Sequence, residues 1–377
     1  MEKHLHIISL TVPYPVDYGG VFDLFYKLPA LKNLGVEIHL HCFDYGRGEQ
    51  PELNKYCASV TYYKRSKDIF SPLPFIVSSR KNEELFERLL QDDYPILMEG
   101  IHCTALLTDR RFAMRDCYVR LHNVEFQYYR GLQQTATSLF KKLYYQRESK
   151  CLYRHEKYLA FNAIFWSVTE KDAETYRKEF GCPDIHYLPL FLPEWKVSSA
   201  EGRGHYCLYQ GDLSVDANEK AALWLINQVF AEIDIPLIIA GKNPSAKLVQ
   251  LIQHKKNISI VANPSEDDMQ AMIAKAQINI LPSFTNTGIK LKLINALYNG
   301  RFIVCNKATV EGTGFESLCH IAEEASAFKD LINTLYQQGF ASPEIERRKQ
   351  LLNFHFDNEK NAQRLLQCIW PNQESNP

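Results

Sequence analysis

Residues 278–305, INILPSFTNTGIKLKLINALYNGRFIVC, read as strand, small polar loop, helix and second strand. The run 278–281 is apolar, 282–288 is small and polar with one glycine, and 290–298 places Leu291, Ile294, Leu297 and Tyr298 at helical spacing. A helix opening just after Gly288 would turn its unpaired N–H groups and the positive end of its dipole toward an anion. The stretch therefore predicts a parallel-sheet α/β protein with a phosphate-binding wall.

The same alternation runs through the rest of the chain. Residues 5–10 form a strand pattern, followed by the loop TVPYPVDYGG and a helical pattern over 21–34. Further strand patterns fall at 37–42, 60–63, 95–98, 117–121, 163–168 and 186–188, with helical patterns at 82–91 and 170–180 between them. Alternation of this kind implies a parallel sheet covered by helices. Periodicity is lost over 190–204, which holds Pro193, Ser198, Ser199, Gly202 and Gly204 and reads as a linker. A second set then begins, with strand patterns at 206–210, 237–240, 258–261, 278–281 and 302–305. Two domains are expected, 1–195 and 205–355, followed by a helical pattern over 358–370.

At 377 residues, with 46% hydrophobic and 23% charged positions, the chain can bury two cores. A formal net charge of -1 supplies no global field for nucleic acid. The ten cysteines show no CxxC and no Cys/His cluster of zinc spacing, as in reduced cytosolic proteins. The opening MEKHLHIISL lacks the apolar run of a signal peptide, and no stretch of about 18 apolar residues follows. A cytoplasmic chain is the expectation. The absence of a GxGxxG fingerprint argues against a dehydrogenase.

Candidate site residues sit where strands end, the place at which open α/β sheets bind ligands. VRLHNVE puts His122, Asn123 and Glu125 after the strand 117–121. Asp17, Gly19 and Gly20 lie between the first strand and the first helix, where a missing Cβ lets a ligand approach. Gly211 follows the first strand of the second set, with Asp212 beside it and Asn218 expected as a helix N-cap; Gly241 and Lys242 follow the next. Lys290 and Lys292 flank the opening turn of the helix after Gly288. Side chains two apart on a helix diverge by about 200°, which assigns Lys290 to the phosphate and leaves Lys292 to solvent or an interface. The segment 128–158 mixes Tyr, Leu, Lys and Arg as membrane-surface helices do, but its Glu148 and Glu156 fit an ordinary amphipathic helix with a charged face.

Together these motifs resemble the retaining, nucleotide-sugar-dependent glycosyltransferases of the GT-B fold, the bacterial glycosyl transferases group 1 superfamily. Pro282, Gly288, Ala296, Gly300 and Val304 fit its donor loop and helix, residues 122–125 its HNvE signature, 211–218 its G-x-l-x-x-x-x-N opening and 239–244 its iaGk.p turn. Thr287 and Asn295 stand where that family carries its two glutamates, and Asp212 where many relatives carry a base.

The resemblance implies two Rossmann-like domains facing a central cleft, with the helix near 358–370 crossing back to the first. It implies a donor wall of Gly211, Gly241, Lys242, Thr287, Gly288, Ile289, Lys290 and Asn295. His122 would touch the transferred sugar beside Asn123 and Glu125, and Asp17, Gly19 and Gly20 would form the acceptor-side loop. The activity implied is hexose transfer from a nucleoside-diphosphate sugar to a glycan or lipid-linked acceptor, with retention, no metal and no further cofactor, at the cytoplasmic side of a membrane or in the cytoplasm. The replaced glutamates leave open a protein of the same fold that binds nucleotide sugars, or a partner, without turnover.

Overall fold

The computed structural model describes residues 2–16, 19–66, 71–136, 138–285 and 288–371. Two compact units emerge: Met1–Tyr129 with Tyr144–Glu194 and His355–Pro377, and Arg130–Leu143 with Trp195–Phe354. Residues 130–143, expected in the first domain, belong to the second unit.

The first unit is built on a seven-stranded sheet, entirely parallel: β1 (Lys3–Ser9), β2 (Val36–Asp44), β3 (Ser59–Lys64), β4 (Ile96–Glu99), β5 (Cys117–Leu121), β6 (Ile164–Ser167) and β7 (Ile185–Tyr187). Their order is β3-β2-β1-β4-β5-β6-β7, so the direction of winding reverses between β1 and β4. Side chains alternate across the pleat. Leu5, Ile7, Leu97, Tyr118 and Trp166 pack on one face against Leu24, Leu28 and Leu31 of the helix Gly19–Asn33. Ile8, Met98, Val119 and Phe165 pack on the other against Leu152, Leu159, Tyr176 and Phe180. The helix Asn358–Ile369 adds Ala362, Leu365, Leu366 and Ile369 to the first of these cores.

A histidine ladder occupies the second face between β1 and β2. His6 Nδ1 lies 2.9 Å from His41 Nε2, His6 Nε2 lies 3.0 Å from Asp92 Oδ1, and His41 Nδ1 lies 3.0 Å from the Tyr63 hydroxyl. His4 bonds His39 at 3.2 Å and stacks on Tyr94. Burial holds His6, His39 and His41 below the usual imidazole value, with His41 held well below it. At His6 the Asp92 carboxylate pulls the other way without winning. These rings are neutral in the fold.

The second unit repeats the architecture with six parallel strands: β8 (Cys207–Gln210), β9 (Leu237–Gly241), β10 (Ile258–Ala262), β11 (Ile278–Leu281), β12 (Phe302–Cys305) and β13 (His320–Ile321). Their order is β10-β9-β8-β11-β12-β13, with the reversal between β8 and β11. Tyr209, Ile239, Ile280 and Val304 form its core with Leu225, Val229, Phe328 and Ile332. The helix after β8 runs over Asp216–Trp224 and closes in a π-helical turn, Leu225–Val229. The helix expected over 290–298 is Leu291–Asn299, with Lys290 as the extended residue before it.

Candidate active site at the carboxyl ends of two sheets

In the first unit the winding reversal brings the ends of β1 and β4 together, and there the fold buries four charged side chains and sets a partly exposed histidine beside them. Asp23 comes from the second turn of the helix Gly19–Asn33 and Lys27 from one turn later, so both point the same way. Glu99 ends β4, Arg120 lies within β5, and His122 follows it. Arg120 grips Asp23 with Nε at 2.8 Å and Nη2 at 2.9 Å. Its remaining donors reach the carbonyls of Leu188 at 2.7 Å and Pro189 at 3.0 Å. Lys27 Nζ donates to Asp23 Oδ2 at 3.0 Å and to Glu99 Oε1 at 2.5 Å. His122 Nε2 reaches Glu99 Oε2 at 3.0 Å.

Burial raises both carboxyls, but the cations outweigh it. Arg120 and Lys27 hold Asp23 far below the carboxylate range, while Lys27 and His122 hold Glu99 down. Both are ionised. Ionised Glu99 can only accept, so His122 donates to it from Nε2. Asp23, Glu99 and His122 bring possible metal-ligating atoms within 4.8 Å of one another. Lys27 and Arg120 already neutralise those two carboxylates, so the set does not fit a cation. His122, with 15% of its side chain exposed, is the network's outlet to solvent.

The other residues expected beside His122 are placed differently. Asn123 donates weakly to Glu125 at 3.4 Å. Glu125 opens the helix Glu125–Thr135 and is buried, and burial, with a further push from Asp172, raises its carboxyl to about 7. Behind it Glu156 accepts from the amides of Glu125 at 3.0 Å and Phe126 at 2.8 Å and from the Tyr176 hydroxyl at 2.7 Å. Glu125 thus sits among buried groups rather than at the outlet that His122 occupies. Gly19 and Gly20 are the first residues of a helix, not a loop. Asp17 lies outside the described residues.

In the second unit three strand ends matter. A Cβ on Gly241 would come within 1.8 Å of the Gly211 carbonyl oxygen, so glycine there is required by the approach of β9 to β8. A Cβ on Gly211 would press on the Asn218 amide at 3.2 Å. Asn218 is not an N-cap: its side chain donates to the Asp212 carbonyl at 2.9 Å, and Val215 precedes the helix. The Asp212 carboxylate folds onto its own turn, accepting from the Ser214 amide at 3.0 Å and hydroxyl at 2.6 Å. Lys242 is exposed, and its carbonyl holds the Leu213 amide at 2.8 Å.

The loop after β11 is clasped from β12. Asn306 accepts from the Ser283 amide at 2.9 Å and donates to its carbonyl at 2.8 Å, while Thr309 donates to the Leu281 carbonyl at 2.5 Å. Gly288 has φ of 63°, which side-chain-bearing residues resist, and the helix Leu291–Asn299 starts three residues later. Ile289 and Lys290 are half-buried in this turn. Thr287 lies outside the described residues. Asn295 Oδ1 is taken by the Asn299 amide at 2.7 Å.

Lys292 departs from the assignment made on helical spacing. It is half-buried, with its ammonium 5.1 Å from the centre of the Tyr209 ring. Burial, and then the charge of Lys290, pull it down to about 8. Nearby, Lys220 lies 4.9 Å over the ring of Phe284 in the clasped loop. Asp23, Lys27, Arg120 and Asn306 are the residues that sequence reasoning left out. Arg120 alone gave a signal, as a cation inside a strand whose other residues are apolar or aromatic.

Residues 204–338 match the family profile described as Glycosyl transferases group 1. Across most of its length the chain is similar to an uncharacterized 44.6 kDa protein in the cps region of Klebsiella pneumoniae, 25% identical over 352 residues, covering 87% of this chain and 89% of that one. Among solved structures, Anabaena Alr3699/HepE in complex with UDP and glucose superposes with a TM-score of 0.66 at 11% identity, over 97% of this chain and 99% of that one. A glycosyltransferase from Rickettsia africae gives 0.66 at 12% identity, over 99% and 100%. The fold is GT-B: α/β, with two Rossmann-like parallel-sheet domains.

Proposed function

We propose that the group 1 domain binds a nucleoside-diphosphate sugar and that the chain transfers its hexose, with retention, to a glycan or lipid-linked acceptor. The observation that carries this reading is the pairing of a left-handed Gly288 and a helix start with Lys292, a half-buried ammonium whose nearest described partner is an aromatic face. A buried cation of this kind is costly until an anion meets it. A diphosphate at the start of Leu291–Asn299 would supply that charge and take hydrogen bonds from helix N–H groups. As the sugar departs, negative charge grows on the diphosphate, and fixed donors there stabilise it most when it is greatest.

Lys292 then takes the part that Asp212 cannot. His122 would meet the sugar through Nδ1, with Glu99 fixing its ring. In Alr3699/HepE the bound molecules are UDP and glucose, which agrees with a uridine donor. The similar Klebsiella protein lies in a cps region, which agrees with a polysaccharide acceptor. A second reading, binding without turnover, draws on Asn295, whose carbonyl oxygen is engaged by Asn299 rather than free for a ribose hydroxyl.

The experiment is donor-dependent stabilisation and hydrolysis across UDP- and GDP-sugars. A rise in Tm together with hydrolysis supports transfer, and a rise without turnover supports the second reading. No shift with any nucleotide sugar removes the donor site.

A further inference from the structure

The helix Leu139–Leu159 turns both of its carboxylates inward. Glu148 accepts from the Phe75 amide at 2.7 Å, Glu156 holds the amides of Glu125 and Phe126, and both are buried along with Leu152, His155 and Leu159. What remains outside is of two kinds. Leu139, Phe140 and Leu143 are exposed by 75%, 86% and 65%, with Tyr144 and Tyr158 also exposed. Lys141, Lys142, Arg147, Lys150, Arg154 and Lys157 are exposed as well. The exposed residues of this helix include no carboxylate, although one neighbour, Asp216, lies 3.4 Å from Lys141. The ordinary charged face expected from Glu148 and Glu156 does not form, because the fold has taken both acids into its interior.

We propose that this helix docks the protein on an anionic lipid bilayer. Leu139, Phe140 and Leu143 would enter the boundary between headgroups and acyl chains, and the cations would lie against lipid phosphates. The chain as a whole carries a net charge of -1, so Arg147, Lys150, Arg154 and Lys157, spaced three and four apart along one face of a helix with no exposed acid of its own, are a local departure from the average. Cations alone would suit nucleic acid, and exposed leucines alone a protein groove. A surface that is apolar at one end and cationic along its length matches the membrane interface, where both kinds of group are satisfied together. No helix among the described residues is long and apolar enough to cross a membrane. This inference does not depend on the donor reading above.

The test is co-sedimentation of the full chain with phosphatidylcholine vesicles, with and without phosphatidylglycerol. Binding is expected with the anionic vesicles alone and should weaken as salt is raised. The combined variant L139S/F140S/L143S should bind at least tenfold more weakly. R147Q/K150Q/R154Q should lose roughly fivefold per cation removed. Far-UV circular dichroism and an unchanged unfolding midpoint would establish that both variants are folded. Absence of binding to anionic vesicles at low salt overturns the proposal, as does equal binding by the folded serine variant. Duplex DNA that displaces the protein from vesicles at matched phosphate concentration also overturns it.

Discussion

His122 donates from Nε2 to Glu99 at 3.0 Å, while the second oxygen of the same carboxylate holds Lys27. One carboxylate thus joins a partly exposed ring to a buried chain of charges ending at Arg120. Replacing His122 by Ala should lower donor hydrolysis at least tenfold with little change in Tm, since the ring lies at the rim. Glu99→Gln should lower kcat with KM nearly unchanged, because the amide can present its NH2 to the ring and reverse the tautomer. Steady-state hydrolysis of UDP-sugars measures both, and a fully active Glu99→Gln protein would remove Glu99 from this role.

Asp23 is the centre of balance in that network. Asp23→Ala leaves Lys27 with one carboxylate and Arg120 with none, both fully buried. Removing one partner of a buried ion pair costs about 3–5 kcal/mol. Urea unfolding of the first unit should show a loss of that size, and a loss below about 1 kcal/mol would mean that solvent reaches the cluster.

The histidine ladder sets how stability varies with acid. The folded values of His6, His39 and His41 lie below the unfolded value of about 6.5. Between the two, the unfolded chain takes up protons that the fold refuses. Their contribution is complete above about pH 6.5 and falls as the pH is lowered. Glu125 and Glu156, raised by burial to about 7 and about 8, work in the opposite sense. Their contribution is complete below the unfolded value of about 4.3 and is lost as the pH climbs through those raised values. The two arms overlap between about pH 4.3 and 6.5, where the urea midpoint reports their difference, and above about pH 6.5 only the glutamate loss remains. His41→Gln should flatten the acid arm and leave the alkaline arm in place.

Gly288 and Lys292 make separate contributions to one site. Gly288→Val forces a β-branched residue to φ of 63°, at about 1–2 kcal/mol, and should abolish the Tm shift produced by nucleotide sugars. Lys292→Gln should remove most of that shift, and Lys290→Gln less. With the free ammonium at about 8, donor affinity in the wild type should weaken above that pH, and Lys292→Gln should remove this dependence. Titration by thermal shift at several pH values distinguishes these outcomes.

Gly241→Ala probes the scaffold itself. Its Cβ would meet the Gly211 carbonyl oxygen at 1.8 Å, too close for any rotamer to relieve, so β8 and β9 must part. A drop in the unfolding midpoint of the second unit and loss of donor stabilisation should appear together.

The twelve strands β1 to β12 lie close to their expected positions because buried parallel strands are short apolar runs, which a sequence displays openly. The two residues of β13, His320 and Ile321, carry no such pattern, although they pair with Val304 and Cys305 of β12. The donor loop was legible through Gly288, but its clasp was not: Asn306 and Thr309 act from the far side of a helix and a strand. Helical spacing sent Lys292 to solvent or an interface, whereas Lys290 precedes the helix and Lys292 is half-buried. It could not say that the aromatic ring beneath Lys292 would come from Tyr209, some eighty positions earlier in the chain. Glu125 was legible as a position at a strand end and not as a buried group, since its surroundings come from Asn123, Glu156 and Asp172.

The helix Asn358–Ile369 packs into the core of the first unit, although the whole second unit is encoded before it. As the chain leaves the ribosome, Leu24, Leu28 and Leu31 therefore lack Ala362, Leu365 and Leu366 as neighbours until every strand of the second unit has been made. The second unit has all of its strands in hand by then and can settle first. The first unit opens its sheet before the second and closes its core after it.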